Sequence, residues 1–243
     1  MKQIAFATIT LLALTQTASA QVSWSSINFS STPSNAPAVM AAADSLMNSA
    51  VGKEFPGKLL LQVAVADGAD PTTHTFVPIH KSLAEGEAFG QKLQADPAWA
   101  TFQAEMTRLS QPVSRVLYRT IKNWGELADS DHVWMAHAFA VKDASGFLAA
   151  LNKLMASPTG KKFPGQVYLS EIIAGGISPA THVISVGFTS QAEMEAWNVT
   201  RDASTDWAAY IRASRSTGDY LGASLYSDLK TWGPATFSAL SGN

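Results

Sequence analysis

The 243-residue sequence contains no cysteine. This absence excludes disulfide bonds, thiolate catalysis, thiolate-bound metal and a lipid anchor on cysteine. Charged residues are also scarce: they make up 15% of the chain, and the formal net charge is −2. No run of Lys or Arg is long enough to bind nucleic acid or anionic lipid. We therefore expect no nucleic-acid partner, and a fold that its hydrophobic core alone stabilises.

The sequence motifs of several enzyme classes are missing as well. The chain has no Gly-x-Gly-x-x-Gly dinucleotide motif, no phosphate loop, no His-Glu-x-x-His zinc motif and no Gly-x-Ser-x-Gly nucleophile elbow. Its five histidines are scattered, so a metal site would have to be assembled from distant segments. The sequence therefore predicts no metal site and leaves open whether the protein is an enzyme.

The first 20 residues have the pattern of a signal peptide. Lys2 supplies a positive charge, and the apolar stretch 4–14 is too short to span a bilayer. The small residues 18–20 (Ala-Ser-Ala) then suit a signal peptidase. We expect cleavage before Gln21 and a periplasmic or secreted mature protein that does not associate with a membrane. An uncleaved anchor or a buried N-terminal helix is the alternative.

One segment of the chain recurs 108 residues further on. The motif Gly-Lys-x-Phe-Pro-Gly occupies residues 52–57 and again 160–165, and between residues 52 and 125, 24 of 74 positions match their counterparts without a gap. This is an internal duplication with the period of a small domain rather than of a solenoid repeat. The predicted organisation is a signal peptide (1–20), unit 1 (21–125), a polar linker (126–131) and unit 2 (132–243).

The first half of unit 2 predicts a strand, a helix and a hairpin. The nine-residue apolar run 133–141 is typical of a strand covered on both faces. Asp143 can cap a helix that ends before Gly160. Residues 166–174 and 182–188 predict two paired strands.

The second half adds a helical region and a fourth strand. A capping box at residues 190–193 opens a helix, and a further helical piece covers residues 205–214. In unit 1 the equivalent piece begins with Asp96 and Pro97, an N-cap followed by proline in the first turn. Residues 221–229 close unit 2 as a strand. The order β-α-β-β-α-β is that of a ferredoxin-like unit.

Two such units in tandem resemble the dimeric α+β barrel superfamily, as do the helix patterns Trp99-x-x-Phe102 and Trp207-x-x-Tyr210. The resemblance implies an α+β fold class: two tandem ferredoxin-like βαββαβ units whose four-stranded sheets pair face to face as a pseudo-dimeric barrel. Members include antibiotic-biosynthesis-type monooxygenases, stress-responsive barrel proteins, chlorite dismutases and dye-decolourising peroxidases. Because one fold hosts many activities, the resemblance predicts architecture better than reaction.

Three histidines are candidate ligand-binding residues. His74 and His182 occupy equivalent positions where a hairpin turn enters the third strand of each unit. Each can cap the turn or line the mouth of a cavity, and the turn role is favoured. His137 lies within an apolar strand where the repeat places Phe29 in unit 1. Such an asymmetric polar residue belongs either to a functional site or to a hydrogen-bonded core.

Two charged residues complete the candidates. Glu171 replaces Val63 on an otherwise apolar strand face, so if buried it needs a partner or a raised pKa. Beside His137 it could take part in acid–base chemistry. Arg119 shares a face of the fourth strand of unit 1 with Arg115, where unit 2 has uncharged residues. These arginines either bind a carboxylate ligand or are surface charges.

Two functions follow from these observations. The first is an exported protein that binds a small apolar or aromatic molecule, favoured by the apolar, Trp-rich composition. The alternative is a cofactor-independent, monooxygenase-like enzyme, which the fold resemblance allows; a structural protein without a ligand is a third reading. No cofactor is predicted, since haem is compatible with the resemblance but no haem-ligand motif supports it. We expect a monomer, because the two units supply the dimer within one chain.

Overall fold

A computed structural model describes residues 21–125, 129–176 and 179–241. The predicted signal peptide and residues 126–128 of the predicted linker lie outside this part of the chain. Unit 1 contains β1 (Ser23–Ser30), α1 (Ala36–Asn48), β2 (Lys58–Ala66), β3 (His74–His80), α2 (Leu83–Gln94), α3 (Pro97–Leu109) and β4 (Gln111–Trp124). Unit 2 contains β5 (Val133–Val141), α4 (Ala144–Ala156), β6 (Val167–Ala174), β7 (His182–Phe188), α5 (Gln191–Asp202), α6 (Thr205–Thr217), β8 (Gly218–Trp232) and the short α7 (Phe237–Ser241).

Local sequence signals set many of these boundaries. The side chains of Asp96, Asp143 and Ser190 each accept a hydrogen bond from a backbone N–H in the first turn of the helix that follows. β5 and β7 have the limits that the apolar pattern predicts. β8 is the exception, because it runs for 15 residues where the pattern predicts nine.

The strands form one closed antiparallel barrel in the order β1-β3-β2-β8-β5-β7-β6-β4. The predicted fold class is therefore wrong: the eight strands are not two ferredoxin-like sheets that face each other, but one continuous sheet. Two seams close it, since β8 pairs with β2 and β4 pairs with β6. Each seam joins a strand of one unit to a strand of the other.

The long fourth strands are the physical reason for this closure. β4 and β8 pair with β1 and β5 of their own units and continue onto β6 and β2 of the other, with β-bulges that adjust the register at each seam. Both strands end at a glycine with positive φ, Gly125 at 86° and Gly233 at 94°. A Cβ at either position would lie within 2.3 Å of a backbone oxygen of the other unit, on Gly165 and Gly57 respectively, so only glycine fits.

Side-chain contacts reinforce both seams. Near the end of β8, Lys230 and Trp232 donate hydrogen bonds to Asp44 of α1, at 2.8 Å each. The equivalent Lys122 of β4 donates to Asn152 of α4 at 2.7 Å. Each fourth strand thus holds a helix of the opposite unit.

The closed sheet separates the inside of the barrel from the space between the sheet and the surrounding helices. Side chains that alternate along each strand point either into the barrel or outward to the helices. The outward faces of the two units pack against α1 and α3 and against α4 and α6, which gives one hydrophobic cluster per unit. A third cluster lies inside the barrel, where α7 contributes Phe237 and Leu240. In the described part of the chain, no helix combines the length and apolar character that crossing a membrane requires.

Candidate functional site

A large cavity lies in unit 1, between the outward face of the sheet and helices α1, α2 and α3. We name it the unit-1 cavity. Its volume is about 620 Å³, within the range of pockets that bind small molecules. Most of its wall is apolar, and six aromatic side chains line it: Phe29, Phe55, Phe76, Phe89, Trp99 and Phe102. Several of them pack in pairs, such as Trp99 and Phe102, whose stacked rings have centroids 5.4 Å apart.

Small side chains in two helices keep this cavity open. Ala43 of α1 and Gly86 of α2 line it, and the duplication places Leu151 and Met194 at the equivalent positions of unit 2. Leu151 is buried in the unit-2 hydrophobic cluster together with Phe147, whose counterpart is Val39. Ala43 thus lines a cavity in unit 1, whereas larger side chains pack in the core at the equivalent helix positions of unit 2.

His80, the last residue of β3, is an imidazole in the wall of the unit-1 cavity. Its ring packs edge-on against Phe55, with centroids 5.3 Å apart, and lies so close to α2 that a Cβ on Gly86 would be 3.0 Å from its Cδ2. The Nδ1 atom is buried and, within the described residues, has no hydrogen-bond partner. A buried polar atom without a partner destabilises the fold, so such positions are often functional.

Burial also determines the charge of His80. It lowers the pKa of the imidazole below its ordinary value of 6.5, while the nearby Glu85 carboxylate acts in the opposite direction. The ring is therefore neutral near pH 7. A neutral imidazole can accept a proton from a bound molecule.

Arg115 of β4 supplies a positive charge at the unit-1 cavity. It is exposed and lies opposite Ile27 of β1 in the barrel. No ion pair involves Arg115 in the ranges that the structure covers. The guanidinium is thus available to an anionic group on a molecule held against the aromatic wall.

His74 and His182 lie at the hairpins, and neither lines the unit-1 cavity. The Nδ1 atom of His74 is 2.8 Å from Thr73 Oγ1, and that of His182 is 2.9 Å from Thr181 Oγ1. Burial is the main cause that lowers the pKa of each ring. The two threonine hydroxyls also accept hydrogen bonds from backbone N–H groups at the ends of β1 and β5, so each His–Thr pair joins a hairpin to a neighbouring strand.

His137 lies on the outward face of β5 in unit 2. Its structural counterpart is Ile27 and not Phe29, because Phe139 and Phe29 occupy equivalent positions opposite His182 and His74. The Nδ1 atom of His137 is 3.4 Å from the Tyr220 hydroxyl. Burial, with a smaller contribution from Arg201, lowers its pKa to about 4.

Glu171 and Arg119 face each other across the β4–β6 seam and form an ion pair. His182 is the next residue in register, on β7. The structure thus brings Arg119, Glu171 and His182 into one row. It keeps His137 apart from Glu171, because β7 lies between their strands.

The unit-1 cavity contains functional candidates that sequence reasoning missed or did not place. His80 could have been found by the test that selected His137, since its counterpart in unit 2 is Phe188. Arg115 was distinguished by the same kind of asymmetry. The replacement of Leu and Met by Ala43 and Gly86 was a further signal, but its meaning depends on which helix faces point at the sheet.

A metal ion has no evident site in the part of the chain that the structure describes. No group of three or more His, Cys, Asp or Glu side chains there could hold one. Haem is a different case, because a single axial ligand is sufficient for it. The unit-1 cavity offers a large apolar space, one imidazole with an unsatisfied nitrogen and a nearby arginine, and these residues fit the chemistry of a haem.

Comparisons with known proteins match the fold but not the sequence. No protein-family model matches the chain, and no curated protein matches it. A candidate monooxygenase from Lactobacillus acidophilus NCFM has a TM-score of 0.62 and 12% identity, over 89% of this chain and 97% of its own. An anthrone oxidase-like protein has a TM-score of 0.58 and 13% identity, over 88% and 93%.

A haem-binding protein from Thermus thermophilus is also similar. Its TM-score is 0.52 and its identity 9%, over 86% of this chain and 92% of its own. At such identities the likeness concerns the fold alone, but it extends over nearly all the described residues. The predicted resemblance is therefore confirmed: the chain shares its fold with these proteins.

Proposed function

We propose that this protein binds a small, largely aromatic molecule in the unit-1 cavity. One observation carries the proposal: a cavity of about 620 Å³ lies between sheet and helices where unit 1 has Ala43, whereas unit 2 has the buried core residue Leu151 at the equivalent position. An unfilled space of this size in a core loses packing and transfer free energy. Occupation by a ligand would offset that loss.

The chemistry of the wall indicates the class of ligand. Stacked and edge-on aromatic rings favour a flat aromatic molecule, and the unpaired Arg115 favours an anionic group at one end of it. His80 adds one polar contact deeper in the wall. A two- or three-ring aromatic carboxylate or phenolate satisfies all three features.

Fluorescence titration with anthracene-9-carboxylate tests this proposal. Ala43→Leu and Gly86→Met give unit 1 the side chains of unit 2, and we expect them to abolish binding because they fill the cavity. Arg115→Ala, which also copies unit 2, should weaken binding of the anion by about tenfold, the loss of one charge-assisted hydrogen bond. It should leave binding of the neutral 9-anthracenemethanol unchanged.

Leu151→Ala is the matched control, because it opens space in unit 2 and leaves the unit-1 cavity intact. It should retain anthracene-9-carboxylate binding. Equal affinity of the wild type and the Ala43→Leu variant, with both folded by circular dichroism, would place the ligand elsewhere and refute the proposal.

A cofactor-independent oxidation is the second candidate function, and His80 is the observation that favours it. The fold neighbours described as a candidate monooxygenase and as anthrone oxidase-like suggest an aromatic substrate with an acidic methylene between two rings. His80 would accept one methylene proton. Dioxygen would then oxidise the carbanion, so that one oxygen atom becomes the product carbonyl and the other leaves as water.

Anthrone with dioxygen tests this candidate through the absorbance of the quinone product. We expect His80→Phe, which copies Phe188 of unit 2, to remove the enzymatic rate above the spontaneous one. Anthracene-9-carboxylate binding should persist in the same variant. An undiminished rate in His80→Phe would eliminate His80 as the base.

Haem is the cofactor to test in the same cavity. His80 and Arg115 would hold it, through the imidazole and through a pair with a propionate, and the iron would supply redox chemistry. Titration with haemin should produce a Soret shift in the wild type that His80→Phe lacks. If no shift appears, the original prediction of no cofactor is retained.

We also propose export and a monomeric state, as the sequence predicts. The pattern of residues 1–20 supports export, and a monomer is supported by the closed barrel, in which each of the eight described strands pairs on both sides. N-terminal sequencing of protein from a periplasmic extract should begin at Gln21. Light scattering should give the mass of one chain.

A further inference from the structure

The inside of the barrel contains a second cavity, on the opposite face of the sheet from the unit-1 cavity. Its volume is about 150 Å³, and we call it the lumen cavity. α7 covers one end, where Phe237 and Leu240 pack against Trp134 and Tyr168. An engineered cavity of about 150 Å³ in another protein binds benzene. The lumen cavity therefore has room for a single six-membered ring.

Two fixed aromatic rings form one wall of the lumen cavity. Trp24 and Tyr118 stack with their centroids 3.8 Å apart and an interplanar angle of 11°. Trp24 Nε1 also donates a hydrogen bond across the barrel to Ser170 Oγ, at 3.1 Å. These contacts hold the rings in place. Because the stacked faces are turned to each other, the pair offers an aromatic guest an outer ring face or the ring edges.

Asn28 supplies an unsatisfied polar atom to the same cavity. Its Nδ2 donates to Ser114 Oγ at 2.9 Å, but its Oδ1 is buried and has no hydrogen-bond partner in the described ranges. If the amide were reversed, the nitrogen would be the unsatisfied atom instead. A hydroxyl group serves both cases, since it can donate or accept.

The neighbouring polar group is already paired. Gln62 donates through Nε2 to Asp228 Oδ1 at 2.8 Å. Asn28 thus still offers a hydrogen bond to a guest, beside the hydroxyl groups of Ser26 and Ser185 in the same wall, and a guest with one hydroxyl on one ring matches it.

We propose that the lumen cavity is a second binding site, and that it takes a single-ring phenol whose ring lies against Trp24 and Tyr118 and whose hydroxyl bonds to Asn28. The site does not rest on the proposed function, although Asn28 lines both cavities. Residues of both units form it.

Titration of 4-fluorophenol monitored by ¹⁹F NMR tests the proposal on the full mature chain. Ala136 faces the lumen cavity, so Ala136→Leu should abolish binding by filling it. Asn28→Ala copies Ala138, its structural counterpart in unit 2. It should weaken 4-fluorophenol binding about 3- to 10-fold, the loss of one neutral hydrogen bond, and leave fluorobenzene binding unchanged.

Ala43→Leu is the control, since it fills only the unit-1 cavity and should leave 4-fluorophenol affinity as in the wild type. Loss of binding in Ala43→Leu, or wild-type binding in Ala136→Leu, would overturn the proposal. If Ala136→Leu does not fold, Ser185→Leu fills the same cavity from β7. Nuclear Overhauser contacts from the phenol to Trp24 and Tyr118 are required in the wild type, and their absence would also refute the lumen site.

Discussion

The two units of this chain have the same order of helices and strands, but they use their interiors differently. Unit 1 has an aromatic-lined cavity beneath its helices, and unit 2 packs Phe147 and Leu151 into its core at the positions of Val39 and Ala43. The difference depends on a few positions, above all Ala43 against Leu151 and Gly86 against Met194. A duplication can therefore keep a fold in both copies while one copy preserves space for a ligand and the other contributes stability.

The two seams of the barrel differ in a similar way. At the β8–β2 seam, Asp228 accepts hydrogen bonds from Gln62 and from Trp134 Nε1, at 2.8 and 3.3 Å. At the β4–β6 seam the equivalent residues are Thr120 and Ser170, whose hydroxyls lie 3.3 Å apart. At these equivalent positions, one seam thus has a buried carboxyl group and the other has two hydroxyl groups.

The largest expected effect is on the free energy of unfolding, and it compares the packing of helix α1 with that of helix α4. Leu151→Ala should lower the free energy of unfolding by about 2–5 kcal/mol, because it opens a cavity in a filled core. Ala43→Leu should change it by less than about 1.5 kcal/mol, because the larger side chain grows into existing space. Urea unfolding followed by fluorescence measures both. Equal losses in the two variants would mean that the units are packed alike.

The second prediction concerns the seam with the buried carboxyl group. Desolvation raises the pKa of Asp228 to about 6, against the opposing hydrogen bonds of Gln62 and Trp134. The unfolded chain loses this proton near pH 4, so the folded state binds more protons between about pH 4 and 6. Asp228 therefore makes stability highest below about pH 4 and lowers it as the pH rises through about 6.

Thermal unfolding of Asp228→Asn against the wild type across this range measures the effect. The wild type should lose roughly 3 kcal/mol relative to the variant between pH 4 and 7, from a shift of about two pKa units. Thr120→Val at the other seam removes no titratable group, so its profile should parallel that of the wild type. Parallel profiles for Asp228→Asn and the wild type would contradict the raised pKa.

The smallest effect is expected where the fourth strands hold the helices. Asp44 pairs with Lys230, whereas its counterpart Asn152 pairs with Lys122. The hydrogen bonds from Lys230 and Trp232 lower the pKa of Asp44. Asp44→Asn should destabilise by about 0.2–1 kcal/mol and Asn152→Asp should stabilise by a similar amount.

Salt distinguishes the charged contact from the neutral one. In about 0.5 M salt, screening should reduce the change in the free energy of unfolding that each variant causes. Chemical denaturation with urea measures these changes. If salt does not change the loss of unfolding free energy in Asp44→Asn, the contact depends on packing and not on charge.

Much of the local structure could be predicted from the sequence, because its causes are local. The N-caps Asp96, Asp143 and Ser190 and the limits of β5 and β7 depend on neighbouring residues alone. The true length of β8 could not be predicted in this way, since its partners in β2 are more than 150 residues away in the chain. The unit-1 cavity was missed for a related reason: Ala43 and Gly86 bound a space only after α1 and α2 have packed on the sheet.

By itself, the amino-acid sequence determined the duplication, the strand and helix order and the absence of thiol chemistry, because identity between copies, periodicity and composition are properties of the chain alone. The tertiary structure decided that the eight strands close into one barrel and that unit 1 remains open where unit 2 is filled. It also paired Arg119 with Glu171 and left Arg115 and His80 in the cavity wall. Each of these depends on which distant segments meet, and pairing across the seams is a property of the folded chain.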